Sequence, residues 1–424
     1  MILIKDATIV AEKIFKGDIL IVENRIEEIG KNIEERTEET IDARGKIAIP
    51  GLVNTHTHIA MTLLRGYGED LPLHEWLQKK IWPAEARLSA KDVRWGSLLG
   101  IIECIKSGVT AFNDMYIYYV EETVKAALEA GIRISVPRAM FDLVPGRETK
   151  KELSAATEFV KKWKGTNDLV IPIVSCHAPY TCSEELLINA KELANREGLK
   201  FHIHLSETRK EVFDILNTKR KYPFEYMDSL GLVDENSIFA HAGWVTTREI
   251  ALAGKKGASI SHCPVSNLKL ATGGICPISE FDAAGANVTI GTDSAASNNS
   301  LNMFESMKIA ALLQKHQYWK ADAIPLRKIF EFGTKNGARA LGLNSGGIEK
   351  GKLADIVLLE RSGNLLPEYD LVANIVYSGG PQNVSDVIIN GKIVMKDKKV
   401  LTLDEEAINE EAKGAAEALA ARLL

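Results

Sequence analysis

The stretch Pro50-Gly51-Leu52-Val53-Asn54-Thr55-His56-Thr57-His58 decides how the chain is interpreted, because it places two histidines beyond an apolar segment. It follows Lys46-Ile47-Ala48-Ile49, a run typical of a short buried strand. Side chains at i and i+2 of a strand point the same way, so we expect His56 and His58 to project together from its carboxyl end. Two imidazoles directed at one point form half of a metal site. A His-x-His pair alone fits a surface turn equally well, so the rest of the chain must decide.

The composition is that of a globular protein with a large core. The chain has 424 residues, of which 46% are hydrophobic and 26% charged, and a net charge of −5. This balance gives no electrostatic basis for binding nucleic acid, and the apolar runs are too short to span a bilayer. The start does not resemble a signal peptide, and the five cysteines lack the spacing of a zinc knuckle. We therefore predict a cytoplasmic protein with reduced thiols and no nucleic-acid or membrane partner.

The two ends of the chain share a pattern of short strands. Residues 1–50 contain short apolar segments separated by turns, and similar segments return at 353–359 and 384–394. Neither end has enough strands for a core of its own. We therefore predict that residues 1–50 and 347–424 form one composite β-sandwich domain, with a single domain inserted between them. An Ala- and Glu-rich helix is predicted over 403–424, with Leu419, Leu423 and Leu424 available for packing.

Between residues 51 and 346, strands and helices alternate. Eight segments are predicted as strands: one that ends at His56, then 109–114, 132–136, 169–175, 200–205, 237–241, 258–262 and 287–293. Helical segments with apolar residues at 3.6 spacing lie between them, such as 89–106, 121–130, 183–197 and 302–313. Eight β/α repeats predict a (β/α)8 TIM barrel as the catalytic domain. A doubly wound open sheet would be expected to carry a Gly-rich phosphate-binding turn, and the sequence has none.

Polar residues concentrate at the predicted strand ends, where a (β/α)8 barrel carries its active site. Six of the nine histidines lie within a residue or two of such an end. The polar residues there, in strand order, are His56, His58, Asn113, Asp114, Arg138, His177, His202, His204, Glu207, His241, His262 and Asp293. Packing alone would not concentrate them in this way, so we interpret the set as one site.

Four of these residues have the chemistry of metal ligands. His56, His58, His204 and Asp293 would form a mixed nitrogen and oxygen site for one divalent metal. Zn²⁺ is the default ion, and Fe²⁺, Mn²⁺ or Co²⁺ would accept the same ligands. Such a metal can activate water as a nucleophile near neutral pH. His202 shares a strand face with His204 and is either a core residue or a neighbour of a ligand.

Two further residues suit acid and base chemistry. Glu207 lies three residues beyond His204, where a carboxylate can face both the activated water and the substrate. A solvated first-turn residue of the next helix is the competing interpretation. His241 is expected to hydrogen-bond the water or to stabilise the charge that develops during attack. The fourth strand ends in His177, not in a lysine that could be carboxylated to bridge two metals, which favours a single metal.

These residues resemble the metal-dependent amidohydrolase superfamily over essentially the whole chain. The motifs that carry the resemblance are the 50–58 stretch, His204-x-x-Glu207, His241 and Thr292-Asp293-Ser294. Within the superfamily the sequence is similar to the 5′-methylthioadenosine/S-adenosylhomocysteine deaminase group. The matching segments are Leu73-His74-Glu75-Trp76-Leu77, Ile81-Trp82-Pro83-Ala84-Glu85, Cys176-His177-Ala178-Pro179-Tyr180-Thr181-Cys182-Ser183 and Ser297-Asn298-Asn299-Ser300-Leu301-Asn302-Met303.

The resemblance implies hydrolytic deamination of 5′-modified adenosines. The substrates would be S-adenosylhomocysteine and 5′-methylthioadenosine, with 5′-deoxyadenosine and adenosine as further candidates. Water activated by the metal would attack C6, Glu207 would protonate N1, and Asp293 and His241 would manage the proton of the water. A guanine or triazine deaminase or chlorohydrolase of the same superfamily is the alternative. A catalytically silent metal-binding or scaffold protein is disfavoured because all three of these residues are present.

The resemblance also implies contacts to the nucleoside, beyond Glu207 and Asp293. Glu85 would hold the ribose hydroxyls and His177 would contact the nucleoside. Trp82 would supply an apolar or stacking wall, or else pack in the core. Arg138 and Arg147 would bind the carboxylate of a homocysteine tail, unless they are ordinary surface charges. The family further implies a homo-oligomer, either a dimer or a tetramer.

Overall fold

The computed structural model describes residues 1–423, so Leu424 of the predicted C-terminal helix lies outside the described residues. The strands are β1 (Ile2–Val10), β2 (Ile14–Val22), β3 (Arg25–Gly30), β4 (Glu39–Asp42), β5 (Lys46–Pro50), β6 (Leu52–Thr57), β7 (Val109–Asp114), β8 (Arg133–Val136), β9 (Val170–Pro172), β10 (Val174–Ser175), β11 (Phe201–Leu205), β12 (Ser237–His241), β13 (Ser259–His262), β14 (Asn287–Ile290), β15 (Ile356–Glu360), β16 (Val384–Ile389), β17 (Lys392–Lys396) and β18 (Lys399–Val400).

The helices lie mostly between the barrel strands. They are α1 (Leu73–Trp76), α2 (Trp82–Glu85), α3 (Ala90–Lys106), α4 (Val120–Ala130), α5 (Thr149–Trp163), α6 (Glu184–Glu197), α7 (Arg209–Lys219), α8 (Pro223–Ser229), α9 (Thr247–Lys256), α10 (Pro264–Lys269), α11 (Ile278–Ala284), α12 (Met303–Tyr318), α13 (Leu326–Phe332), α14 (Lys335–Ala340), α15 (Leu371–Ser378) and α16 (Glu405–Leu423). No helix within residues 1–423 is both long and apolar enough to cross a lipid bilayer.

Local capping explains why several helices begin and end where the sequence indicates. The Ser89 hydroxyl caps α3 together with Asp92, and Ser183 caps α6. Gly198 ends α6 in the left-handed conformation, with φ of 65°, which glycine adopts without steric cost. Polar caps and a terminal glycine are visible in a sequence. The predicted helices at 89–106 and 183–197 accordingly match the observed ones to within one residue.

The central part of the chain forms the predicted (β/α)8 barrel. Strands β6 to β9 form one parallel run and β10 to β14 another, with β9 and β10 as the two halves of the fourth barrel strand. Between these halves, the Ile173 N–H donates a hydrogen bond to the Val136 carbonyl at 3.1 Å, so the pairing with β8 continues. The eighth and first strands meet where the Asp293 N–H donates to the His56 carbonyl at 2.9 Å. The predicted fold class is confirmed.

The two ends of the chain pair in one nine-stranded sheet, called the outer sheet below. Strand β15 pairs with β5 and so joins the C-terminal strands to the N-terminal ones. Their apolar side chains form one core, with Ile4 and Ile19 from one end and Ile356, Leu358 and Ile388 from the other. The outer sheet therefore contains strands from both chain ends. The domain limits 1–50, 51–346 and 347–424 stay a prediction.

The chain passes from the outer sheet into the barrel at Gly51. Strand β5 pairs with β15 up to Pro50. Two residues later, Leu52 already pairs with β7. A Cβ at Gly51 would lie 2.0 Å from the Thr110 hydroxyl, so only glycine fits this crossing. The apolar run at 46–49 thus belongs to the outer sheet, and His56 lies on a separate strand. Our interpretation of that run and His56 as one strand is wrong, because the chain changes partner strands at Gly51.

The amino-terminal end of the barrel is closed by packing and by a buried charge. Helix α14 packs small apolar side chains against the ends of β6 and β7. Arg133 at the start of β8 is only 1% exposed. Its guanidinium donates to the Asp168 carbonyl at 2.5 Å, to the Asn390 side chain at 3.2 Å and to Asp355 at 3.3 Å. Because Asp355 and Asn390 flank outer-sheet strands, this cluster ties the two parts of the molecule together.

Candidate metal centre and active site

The four predicted metal ligands meet at the carboxyl end of the barrel. The Nε2 atom of His58 lies 3.4 Å from His204 Nε2 and 3.3 Å from Asp293 Oδ1. The Nε2 atom of His56 lies 3.7 Å from the same carboxylate oxygen. Donor atoms of His56, His58 and His204 all lie within 4.8 Å of one another, as do those of His56, His241 and Asp293. Residues from the first, fifth and eighth barrel strands therefore present their donor atoms to one point.

Hydrogen bonds behind two of the imidazoles determine which nitrogen faces this point. His58 Nδ1 donates to the Met115 carbonyl at 2.5 Å, and His204 Nδ1 donates to the His177 carbonyl at 2.6 Å. A carbonyl oxygen only accepts, so both Nδ1 atoms carry the proton. In the neutral rings both Nε2 atoms consequently present lone pairs to the cluster, as metal-binding histidines do.

The third imidazole is held by another histidine. His56 Nδ1 lies 3.2 Å from His202 Nε2, and His56 Nε2 is buried without a hydrogen-bond partner. His202 thus contacts a ligand rather than the pocket, which settles the alternative left open by the sequence. Burial, together with the neighbouring histidines, lowers the pKa of both His56 and His204. Neutral imidazoles with free lone pairs are what a metal requires.

Asp293 supplies the one anionic donor. Its burial acts to raise its pKa, but the hydrogen bond and charge of His58 outweigh this and hold the pKa well below its usual range. The Ser266 hydroxyl and the Ser294 N–H donate to its two oxygens at 2.5 and 2.8 Å. Three imidazole nitrogens, one ionised carboxylate and an unpartnered buried donor atom together fit one divalent cation of the zinc type.

Glu207 and His241 lie beside the metal ligands. Glu207 is 5% exposed, and its Oε2 lies 3.9 Å from His241 Nε2. Burial, with the negative charges of Asp293 and Glu211, raises the pKa of Glu207 well above its ordinary value. The Asn267 side-chain N–H donates to His241 Nδ1 at 3.1 Å, so the proton of the neutral ring is on Nε2. The site therefore contains a buried carboxyl group with a raised pKa next to an N–H donor.

A pocket opens above these residues and is largely apolar. Its walls are Met61, Leu73, Trp76, Leu77, Ile81, Trp82, Met115, Tyr116, Ile117, Tyr118, Phe141, Val144, Tyr180 and Leu270. Glu85 and His177 also line it, and burial raises the pKa of Glu85 to about 7. Trp82 is 37% exposed at the pocket wall, so it is not a core residue. Among the described residues that line the pocket, none is lysine or arginine.

The two predicted arginines lie outside this pocket. Arg138 and Arg147 line a neighbouring groove that shares Tyr118 with the pocket. The Arg147 guanidinium donates to Glu152 at 2.7 Å and stacks 4.6 Å from the centre of the Phe141 ring. The structure thus places both arginines next to the site without bringing them into it. Their predicted contact with a homocysteine carboxylate stays a prediction.

Sequence reasoning missed two residues that contact the predicted catalytic groups. Ser266 and Asn267 on α10 contact Asp293 and His241 respectively. Their position just after the seventh barrel strand was a usable signal, since the other residues of the ligand cluster also lie at or just beyond the carboxyl ends of barrel strands. His262, which was included for that reason, is buried without a hydrogen bond to either ring nitrogen and lies outside the ligand cluster.

Comparison with known proteins places this geometry in a family. The sequence profile of the Amidohydrolase family matches residues 47–394. The chain is 48% identical over 421 residues to a protein of Methanosphaera stadtmanae named 5′-deoxyadenosine deaminase, with 99% of each chain covered. It is 44% identical to the protein of that name from Methanocaldococcus jannaschii, with 97% of this chain and 98% of the relative covered.

Solved structures show the same architecture. An adenosine deaminase from Xanthomonas campestris with bound zinc superposes with a TM-score of 0.95 at 31% identity, covering 99% of this chain and 98% of that one. The atrazine chlorohydrolase TrzN from Arthrobacter aurescens, with zinc, has a TM-score of 0.92 at 22% identity, covering 98% and 100%. The second likeness concerns the fold alone. The family predicted from the motifs is confirmed, and the chain belongs to the amidohydrolase family.

Proposed function

We propose that the protein catalyses the hydrolytic deamination of 5′-modified adenosines, with release of ammonia. The observation that carries this proposal is the buried Glu207 carboxyl beside three histidines and one aspartate, at the base of an apolar pocket. The names of the relatives that are 48% and 44% identical support the substrate class. The zinc in the structure that is 31% identical supports Zn²⁺ as the ion held by His56, His58, His204 and Asp293.

The reaction adds water at C6 of the adenine ring and expels the amino group. When bound, the divalent cation supplies the Lewis acidity that makes water nucleophilic at neutral pH. Glu207 donates its proton to N1, which makes C6 electrophilic. Asp293, which is ionised, accepts the proton that the attacking water loses and returns it to the departing amino group, and the hydroxyl proton of the adduct passes to Glu207 as ammonia leaves. His241 donates its Nε2–H to the oxygen that becomes bonded to C6.

The pocket walls suit the rest of the nucleoside. Glu85 accepts hydrogen bonds from the ribose hydroxyls, and His177 contacts the sugar or base. Trp82 and its aromatic neighbours cover the faces of the nucleoside. A short apolar 5′ group, as in 5′-deoxyadenosine or 5′-methylthioadenosine, finds apolar walls. The carboxylate of S-adenosylhomocysteine would have to reach Arg138 and Arg147 in the neighbouring groove. We therefore expect this compound to be a poorer substrate than the two with a short 5′ group.

A substrate panel tests the proposal. The zinc-loaded protein is incubated with 5′-deoxyadenosine, 5′-methylthioadenosine, S-adenosylhomocysteine, adenosine and guanine, and released ammonia is measured with Glu207→Gln as the control. Turnover of the first two, lost in the variant, is the expected result. Ammonia from guanine alone would favour the alternative function of a guanine or triazine deaminase. No ammonia from any compound would overturn the deaminase proposal.

The assembly and location of the protein stay predictions. A homo-oligomer and a cytoplasmic location are expected from the family and from the composition. Sedimentation of the purified protein would establish the number of subunits.

A further inference from the structure

Glu211 is a buried acid for which the proposed reaction has no direct use. It lies in the first turn of α7 and is 2% exposed. Its Oε1 accepts the Ser206 N–H at 2.7 Å, and its Oε2 accepts the Glu207 N–H at 3.0 Å. Burying an ionisable side chain away from cations is costly, so this arrangement needs a reason. Both of its carboxylate oxygens accept hydrogen bonds from the turn that carries Glu207.

That turn is strained and needs to be held. Ser206 has φ of 55°, in the left-handed region that a residue with a side chain seldom adopts. The reversal at Ser206 is what turns the chain from β11 so that Glu207 faces the ligand cluster. On the other side of the turn, the Ser206 carbonyl accepts the Trp244 N–H at 3.0 Å. Without acceptors for its two N–H groups, the turn would lose the contacts that compensate the strain.

Helix α9 provides a comparison within the same chain. Both helices begin with threonine followed three residues later by glutamate, the capping-box pattern. In α9 one Glu249 oxygen reaches back to the N–H of the N-cap residue Thr246 at 2.8 Å, and the other accepts the Phe224 N–H of α8 at 2.9 Å. In α7 the Thr208 hydroxyl caps the helix, but the Glu211 oxygens accept from the two residues before Thr208. Both glutamates therefore hold a backbone N–H outside their own helix, but only Glu211 holds the turn that carries a residue of the site, whereas Glu249 holds the start of α8.

We propose that Glu211 is a positioning residue that holds the Glu207 carboxyl at the reacting edge of the purine. This inference rests on the proposed function, because it assigns Glu211 a task only if Glu207 transfers a proton. Glu211 does not touch the substrate pocket, and it acts through the backbone of residues 206 and 207. Loss of one acceptor displaces the Glu207 carboxyl from N1. Displacement of a catalytic group by about 1 Å costs on the order of 100-fold in rate.

The test compares Glu211→Gln with the matched variant Glu249→Gln in the zinc-loaded enzyme. A glutamine amide keeps one acceptor oxygen and turns its NH₂ against the second N–H. The measurements are kcat and KM for 5′-deoxyadenosine, zinc content and melting temperature. Affinities are also measured for the inosine-type product and for a 6-hydroxy-1,6-dihydropurine nucleoside, which mimics the adduct of water at C6.

In Glu211→Gln we expect kcat to fall about 100-fold, with KM and zinc content little changed. Affinity for the adduct mimic should fall by a similar factor, since it depends on Glu207, whereas affinity for the product stays. Glu249→Gln should lose comparable thermal stability and keep its kcat. If Glu211→Gln does not fold, Glu211→Asp replaces it, because the shorter chain cannot reach both N–H groups.

The experiment distinguishes a failure of the positioning role of Glu211 from a failure of the proposed function. If the wild-type enzyme deaminates the substrate and both glutamine variants keep the same kcat, the positioning role of Glu211 is wrong. The same holds if the two variants lose activity only in proportion to lost stability. If the wild-type enzyme releases no ammonia, the proposed function itself fails, and that result is visible before either variant is compared.

Discussion

The two ends of the barrel treat buried polar groups in opposite ways. At the amino-terminal end, the two terminal nitrogens of the Arg133 guanidinium are met by Asp355, by Asn390 and by a carbonyl oxygen, and only its Nε lacks a partner among the described residues. At the carboxyl end, His56 Nε2 has no partner and the Glu207 carboxyl faces the pocket. A buried polar group without a protein partner costs free energy unless something else completes it. The comparison teaches that the first end serves stability, whereas the second is incomplete until a cation and a substrate are bound.

Removal of the metal should produce the largest effect at the carboxyl end. We expect dialysis against a chelator to abolish ammonia release and zinc to restore it. Melting temperature should fall as well, because a ligand that binds only the folded state stabilises it, by about 4 kcal/mol at 1,000 times its Kd. Elemental analysis and calorimetry check both points. Full activity in protein shown to contain no metal would break the comparison.

Glu207→Gln should be next in size. A general acid contributes about 100- to 10,000-fold to rate, and we expect a loss of kcat in that range. Zinc content should be unchanged, and stability unchanged or higher, because the variant removes a buried ionisable group. The exposed Glu192→Gln on α6 serves as the control. A variant that keeps wild-type kcat would remove Glu207 from the mechanism.

Asp355→Asn tests the other end of the barrel. The change leaves Arg133 buried without its counter-charge, which should lower the free energy of unfolding by about 3–5 kcal/mol. The kcat of the folded fraction should stay the same, because the site lies at the opposite end. Urea unfolding and active-site titration separate the two quantities. The double variant Arg133→Met with Asp355→Leu should be less destabilised, and an equal loss would contradict the buried-charge explanation.

Arg147→Gln should produce the smallest and most selective effect. If S-adenosylhomocysteine places its carboxylate in the groove, loss of one charged hydrogen bond should raise its KM about tenfold. The KM for 5′-deoxyadenosine should not change, because Arg147 does not line the pocket. Competition between the two substrates measures the ratio directly, with the exposed Arg248→Gln as the control. Equal changes for both substrates would show that the groove does not bind the tail.

Much of the site could be predicted because strand geometry is regular. Alternation along a strand places His56 and His58 on one side, and the barrel collects strand ends at one edge. Because the barrel brings strand ends together, His204 and Asp293 could be assigned to the same site as His56 and His58, although they lie far apart in the sequence. The structure brings all four together, and the fold class follows from the same count of strands.

The remaining features depend on tertiary contacts that periodicity does not encode. The fourth barrel strand has two halves because Pro172 pairs with β8 whereas Val174 pairs with β11, yet the run 169–175 has strand composition throughout. The partner change at Gly51 depends on the close approach of Thr110. The orientation of Arg147 depends on Glu152 and Phe141, which are recognisable as its neighbours only once the fold is known.

The crossing at Gly51 has a consequence for protein engineering. The chain leaves the outer sheet and enters the barrel without a linker, and His56 lies five residues later. An insertion of one residue between them would reverse the alternation of β6 and turn both histidines to its other face. The outer sheet and the barrel are thus not interchangeable modules. A chimera that grafts a new barrel must also take strand β5 and its partner β15 from the same parent.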